Sequence, residues 1–125
     1  MLKYIELKSG YSDDGPAWIA HVRQSKSGRT VYFNGRALAR SGGQGIQGNH
    51  RDIETREEFW VSGIKKNGCD RLWAGGGIVL VERSAVEEYL QIIGVTELDS
   101  SKYRITDEIV PTDIGRFTRI ANLPL

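Results

Sequence analysis

Few residues in this chain have types and spacings suited to catalysis. Gly43-Gln-Gly-Ile-Gln-Gly48 matches the G-x-G-x-x-G pattern of dinucleotide phosphate loops. Such a loop must follow a buried strand and open a helix, whereas here Arg36-Ala-Leu-Ala-Arg-Ser precedes it and Asn49-His-Arg-Asp-Ile-Glu-Thr follows. What remains is a glycine-rich connection whose amides, with Arg40 and Arg51 as neighbours, could hold an anion. His50-Arg51-Asp52 repeats three letters of the kinase catalytic loop without the other kinase motifs or a kinase's length. Asp13-Asp14 ahead of Pro16 reads as Asx-turn chemistry rather than a metal or acid/base pair. His21, His50 and Cys69 complete a thin inventory for nucleophilic catalysis. An enzyme built from this set would be a small hydrolase acting on a phosphate-containing substrate, with the Gly42–Gly48 amides as anion donors and His50 as base. One cysteine excludes zinc sites made of several thiolates and any internal disulfide, and no metal or cofactor is expected.

The features suited to binding are stronger. Between Gly15 and Arg51 there is no acidic residue, while Arg23, Lys26, Arg29, Arg36, Arg40 and Arg51 are cationic. Glu82–Asp113 is the reverse, with eight acids against Arg83, Lys102 and Arg104. If the first stretch forms one hairpin and loop face, it attracts a phosphate backbone or an acidic protein surface, with Arg23, Arg29, Arg36 and Arg40 as the contacts. The competing reading is that the two stretches neutralise each other or scatter around a sheet. Asn67-Gly68 favours a type I′ turn, and that turn sets Ser62 opposite Trp73. Phe59, Val61, Leu72 and Ala74 then share a core face. Trp60, Ser62, Ile64, Lys66, Cys69, Arg71 and Trp73 share the other. Two indoles beside Lys66 and Arg71 make a platform for a flat or anionic ligand, unless a helix covers them as a second core.

The elements that must position these groups follow from the period of the apolar residues. Strands are expected near Leu2–Lys8, Ala17–Gln24, Arg29–Asn34, Arg51–Thr55, Glu58–Lys66, Cys69–Ala74, Gly77–Glu82 and Lys102–Thr106. Ser84-x-x-Glu87 reads as a capping box and Gly94 as a left-handed stop, which predicts one helix over about 84–93. Val86, Tyr89, Leu90 and Ile93 form its apolar stripe. With 125 residues, 39% of them apolar, the chain has enough material for one core without staples. Residues 1–110 are expected to form a single β-rich domain, and residues 111–125 a docked or frayed tail. The fold class is α+β: mostly antiparallel, a strongly bent sheet or small SH3-like open barrel with one packed helix.

Tyr4-Ile-Glu-Leu-Lys-Ser-Gly-Tyr-Ser-Asp-Asp-Gly-Pro-Ala-Trp-Ile19, Ser25–Gly35, Gly42–Ile46, Asp52–Thr55 and Phe59–Gly68 resemble a family of small uncharacterised bacterial proteins over roughly residues 4 to 95. Members sometimes carry the name 1-deoxyxylulose-5-phosphate synthase, a thiamine-diphosphate enzyme several times longer whose cofactor motif has no match here. The resemblance implies a bacterial, intracellular single domain and carries over no catalytic residue. No apolar run approaches the ~18 to 20 residues of a membrane span, and Met1-Leu-Lys-Tyr-Ile-Glu lacks a signal peptide's apolar core. A cytoplasmic, non-enzymatic binding module is therefore expected. A protein partner ranks ahead of nucleic acid, because 17 Lys and Arg nearly balance 16 Asp and Glu. A protein would dock on an apolar patch of Phe117 and Ile120 with Trp60, whereas a nucleic acid would use the basic face and the tryptophans.

Overall fold

A computed structural model describes residues 1–11, 14–42, 48–71 and 77–121, with the backbone alone described at 120 and 121. Among them, nine strands form one mixed sheet in the order β3-β4-β5-β6-β7-β1-β2-β8-β9. The strands are β1 (Leu2–Leu7), β2 (Ala17–His21), β3 (Arg23–Gln24), β4 (Thr30–Phe33), β5 (Arg36–Arg40), β6 (His50–Asp52), β7 (Glu58–Ser62), β8 (Val79–Glu82) and β9 (Tyr103–Thr106). Only Val22 separates β2 from β3, yet β2 pairs with β1 and β3 pairs with β4. One bent strand thus engages both ends of the run β4 to β1, and the sheet curls into a small open barrel. That is the α+β architecture expected from the sequence.

The barrel encloses Ile5, Ala20, Val22, Val31, Phe33, Leu38, Phe59 and Val61, with Leu7, Trp18 and Ile109 packed around them. A second core lies on the outer face. There β8 runs parallel to both β2 and β9, and α1 (Val86–Ile93) is the crossover between β8 and β9. Parallel neighbours require such a crossover, so the helix must lie on a face of the sheet. It buries Tyr89 against Leu2, Tyr4, Ile19, Val79, Val81 and Tyr103, with Trp60 and Ile64 packed at the margin. Central β1 is buried on both faces: Leu2, Tyr4 and Glu6 point toward α1, and Ile5 points into the barrel.

The structure departs from the expected elements in several places. Ser84 does not cap the helix. Arg83–Ala85 forms a 3-10 turn, and the residue before α1 is Ala85, which has no side-chain cap. The stop is as expected, with Gly94 left-handed and its amide donating to the Leu90 carbonyl. Next to the turn, the described part of the predicted hairpin of Glu58–Lys66 with Cys69–Ala74 is not strand: β7 ends at Ser62, which stands opposite Tyr4, and β6 pairs with Glu58 and Phe59. The Gly68 amide bonds the Lys65 carbonyl, so Lys66 and Asn67 are the central turn residues, and Gly68 follows them with φ +72°. Residues 69–71 are not strand, and Leu72–Ala74, including Trp73, lie outside the described residues. A type I′ turn occurs instead at Asn34-Gly35, with φ +51° and +75° between the paired residues Phe33 and Arg36. It joins β4 to β5, a strand that the apolar period does not predict. A second helix, α2 (Ile114–Ala121), carries Phe117, which is 3% exposed beside Tyr32, so Phe117 is not part of an exposed apolar patch.

Candidate functional site

The barrel has two polar ends, and β5 and β6 reach both. Along β5, Arg36, Leu38 and Arg40 share the inward face, with Leu38 in the core and an arginine toward each end. On β6, Asp52 lies opposite Leu38, and His50 lies opposite Arg40 and Phe59.

At the first end Arg36, Asp52 and Glu57 neutralise one another. Arg36 Nη1 donates to Asp52 Oδ2 at 2.7 Å and to Glu57 Oε1 at 3.0 Å, and its guanidinium lies 5.4 Å from the Phe59 ring centre. Asp52 Oδ1 accepts the amides of Glu54 and Thr55, which shapes the Asp52–Glu57 turn. Burial alone would raise the Asp52 pKa. The Glu54 amide, the Arg36 guanidinium and the Thr55 amide outweigh burial and hold the carboxyl below its usual range.

At the second end the charges are all positive. Thr30 pairs with Ala39, and the Arg40 amide donates to the Arg29 carbonyl at 2.8 Å, so Arg29 and Arg40 lie side by side. Lys3 enters from β1. Among the described residues, the side chains of Lys3, Arg29 and Arg40 make no ion pair or hydrogen bond. His50 is 4% exposed, and its Nδ1 lies 2.8 Å from Asn49 Oδ1. Burial, with Arg40 and Lys3 nearby, lowers its pKa to about 4, so the imidazole is neutral at pH 7. Asn49 in turn binds both the amide and the carbonyl of Val61, which fixes the start of β6. Gly48 must be glycine here, since it has φ +78° and a Cβ would meet the Phe59 carbonyl oxygen at 2.5 Å.

Beside this end opens a cleft of about 330 Å³, bordered by Arg40, Ser41, Arg51, Asp52 and Arg56. Arg51 Nε and Nη2 both donate to Glu58 Oε1. Arg56 projects from the Asp52–Glu57 turn at φ +68°, and its side chain has no partner among the described residues.

The arginines expected to act together are thus divided. Arg29 and Arg40 meet at the cationic end, Arg36 is neutralised at the other, and Arg23 is exposed on β3 at the rim of a groove formed with Ile109–Ile114. Trp60 is half-buried at the margin of the α1 core, and Lys66 is exposed in its turn. Arg71 is 2% exposed and donates from Nη2 to the Gly15 carbonyl at 2.7 Å. It lies in a buried polar region with Glu6, which accepts from the Tyr4 hydroxyl at 2.6 Å and pairs with Lys8 at 2.9 Å. Sequence reasoning missed Lys3 and Arg56, which fall outside the acid-free stretch. For Arg56, the run Asp52-Ile-Glu-Thr55 was a usable Asx-turn signal. Residues 43–47 of the glycine-rich connection lie outside the described residues.

The fold and this end together define a class: a small curled mixed sheet crossed by one βαβ helix, with one neutralised end and one cationic end. No family model, curated protein or solved structure matches the chain. Among the described residues no helix is long and apolar enough to cross a membrane.

Proposed function

We propose that this protein is a non-enzymatic binding module that takes an acidic segment of a protein partner at the cationic end of its barrel. The observation that carries this reading is that Lys3, Arg29 and Arg40 stand together with no acidic partner among the described residues, while Arg36, Arg51, Arg83 and Arg116 each hold a carboxylate. Like charges held together raise the energy of the free protein, and an anion relieves that repulsion when it binds. A protein ranks ahead of a nucleic acid because Trp60 sits on the α1 core and Phe59 is inside the barrel, so neither stacks bases beside these cations. His50 supports the hydrolase alternative poorly, since a buried imidazole with a pKa near 4 is a weak base at neutral pH. The reading goes with a cytoplasmic location, with which the exposed thiol of Cys69 is compatible.

The test is fluorescence anisotropy with an oligoglutamate peptide and an oligothymidylate of equal charge, each at low and high salt. We expect the peptide to bind, to weaken as salt screens the cations, and to lose about tenfold in affinity with Arg29→Ala/Arg40→Ala. Salt-independent binding, or none, rules the reading out. Tighter capture of the oligothymidylate replaces it with the nucleic-acid reading.

A further inference from the structure

The cleft beside the cationic end gathers several arginines. Three arginines, Arg40, Arg51 and Arg56, and Ser41 border the same space of about 330 Å³. Two carboxylates lie near, Asp52 bonded to Arg36 and Glu58 neutralising Arg51, so the cations left without a partner at the cleft among the described residues are Arg40 and Arg56. Asp52 has one oxygen on Arg36 and the other on the Glu54 and Thr55 amides. Glu58 is held by Arg51 through Nε and Nη2, which orients that guanidinium. Arg40 and Arg56 have no side-chain partner among the described residues. Arg56 also keeps a left-handed backbone, φ +68°, a conformation that costs a non-glycine residue free energy, and the Asp52–Glu57 turn imposes it.

Geometry distinguishes among anions. A carboxylate has two oxygens in one plane, and a single guanidinium fork satisfies both. Here Arg40, Arg51 and Arg56 are carried by three separate segments, β5, β6 and the Asp52–Glu57 turn, an arrangement that suits a tetrahedral group with three terminal oxygens and nearly two negative charges. We propose that this cleft binds a phosphate monoester carried on a serine or threonine of the protein partner. This rests on the preceding reading and adds the modification that controls it: the acidic segment is held weakly by Lys3, Arg29 and Arg40 until phosphorylation supplies a group for the cleft.

The experiment compares degenerate peptide libraries with a fixed central phosphoserine, serine or glutamate. The phosphoserine library should bind about tenfold more tightly than the serine library, and glutamate should recover only a small part of the difference. Arg56→Gly removes the cation while leaving a residue at ease with positive φ, and it should abolish the difference. Ser41→Ala, at an exposed position, should shrink it severalfold. A difference that survives Arg56→Gly, or equal binding of the three libraries, overturns the proposal. If oligoglutamate still binds in that last case, the proposed function stands without it; if nothing binds, both fall. Inorganic phosphate or a 5′-phosphorylated oligothymidylate that displaces the phosphopeptides at equal concentration overturns the assignment to a protein-borne phosphate.

Discussion

Arg36 and Arg40 belong to one strand, face one barrel interior and differ by four positions, yet they do different work. Arg36 is held by Asp52 and Glu57 against the Phe59 ring and has no charge left to offer. Arg40 stands beside Arg29, and Arg40 and Lys3 both act on the buried His50. The first arrangement lowers the energy of the folded chain by itself. The second raises it until an anion arrives. A run of cations in a sequence thus does not by itself decide binding, because the carboxylates that neutralise some of them come from elsewhere in the chain. In this protein they come from the Asp52–Glu57 turn at one end, and none comes at the other among the described residues.

The largest effect should follow from breaking the neutralised end. Asp52→Ala leaves Arg36 with Glu57 alone and strands two turn amides, and we expect a loss of about 3 kcal/mol in chemical denaturation, limited by the partial exposure of Arg36. Asp52→Asn keeps an acceptor for the amides and should lose less. If the alanine variant unfolds within about half a kcal/mol of the parent, the contrast between the ends is wrong.

Acid should separate the two ends along the pH axis. The His50 pKa falls from an ordinary 6.5 to about 4 in the folded protein, so folding favours the neutral ring. Its contribution is complete above pH 6.5 and is lost as pH falls toward 4, a decline of roughly 2 to 3 kcal/mol. The Asp52 carboxyl is also held down, but its contribution is lost only when pH falls below the ordinary carboxylate value of 3.8. Stability measured between pH 7 and 4 should therefore decline in the parent and stay nearly flat in His50→Gln. A parallel decline in both would assign the loss to some other group.

The sequence made the apolar faces legible and the pairing only partly so. Phe59 and Val61 facing the barrel, Val86, Tyr89 and Ile93 of the α1 stripe, and the Gly94 stop follow from period and glycine chemistry, which are local. The two Asn-Gly pairs show where local reasoning ends. Asn34-Gly35 joins two runs whose edges are free to pair, and the type I′ turn forms. Asn67-Gly68 lies five residues beyond the end of β7 and does not join two paired strands among the described residues; there the turn closes one residue earlier, between Lys65 and Gly68. β5 was hidden because Arg36-Ala-Leu-Ala-Arg40 is poor in β-branched residues, and it is held by neighbours on both sides. At the site, Arg29 and Arg40 were visible as charge. Lys3 was not, because what brings it to His50 is the fold, in which β1 lies beside β7 and β7 beside β6.

The smallest effect gives the cleanest measure of the cationic end. Arg40→Ala and Lys3→Ala remove exposed or half-exposed cations that hold nothing in place among the described residues, so global stability should shift by no more than about half a kcal/mol. His50 senses both of them. Because Arg40 and Lys3 disfavour the imidazolium, each variant should raise the His50 pKa above about 4, whereas Arg36→Ala, at the far end, should leave it in place. Titration of the ring by NMR measures this directly. Equal shifts in all three variants would mean that the field at His50 is set by the net charge of the molecule. The two ends would then no longer be electrically distinct, and the case for an anion at this one would lose its footing.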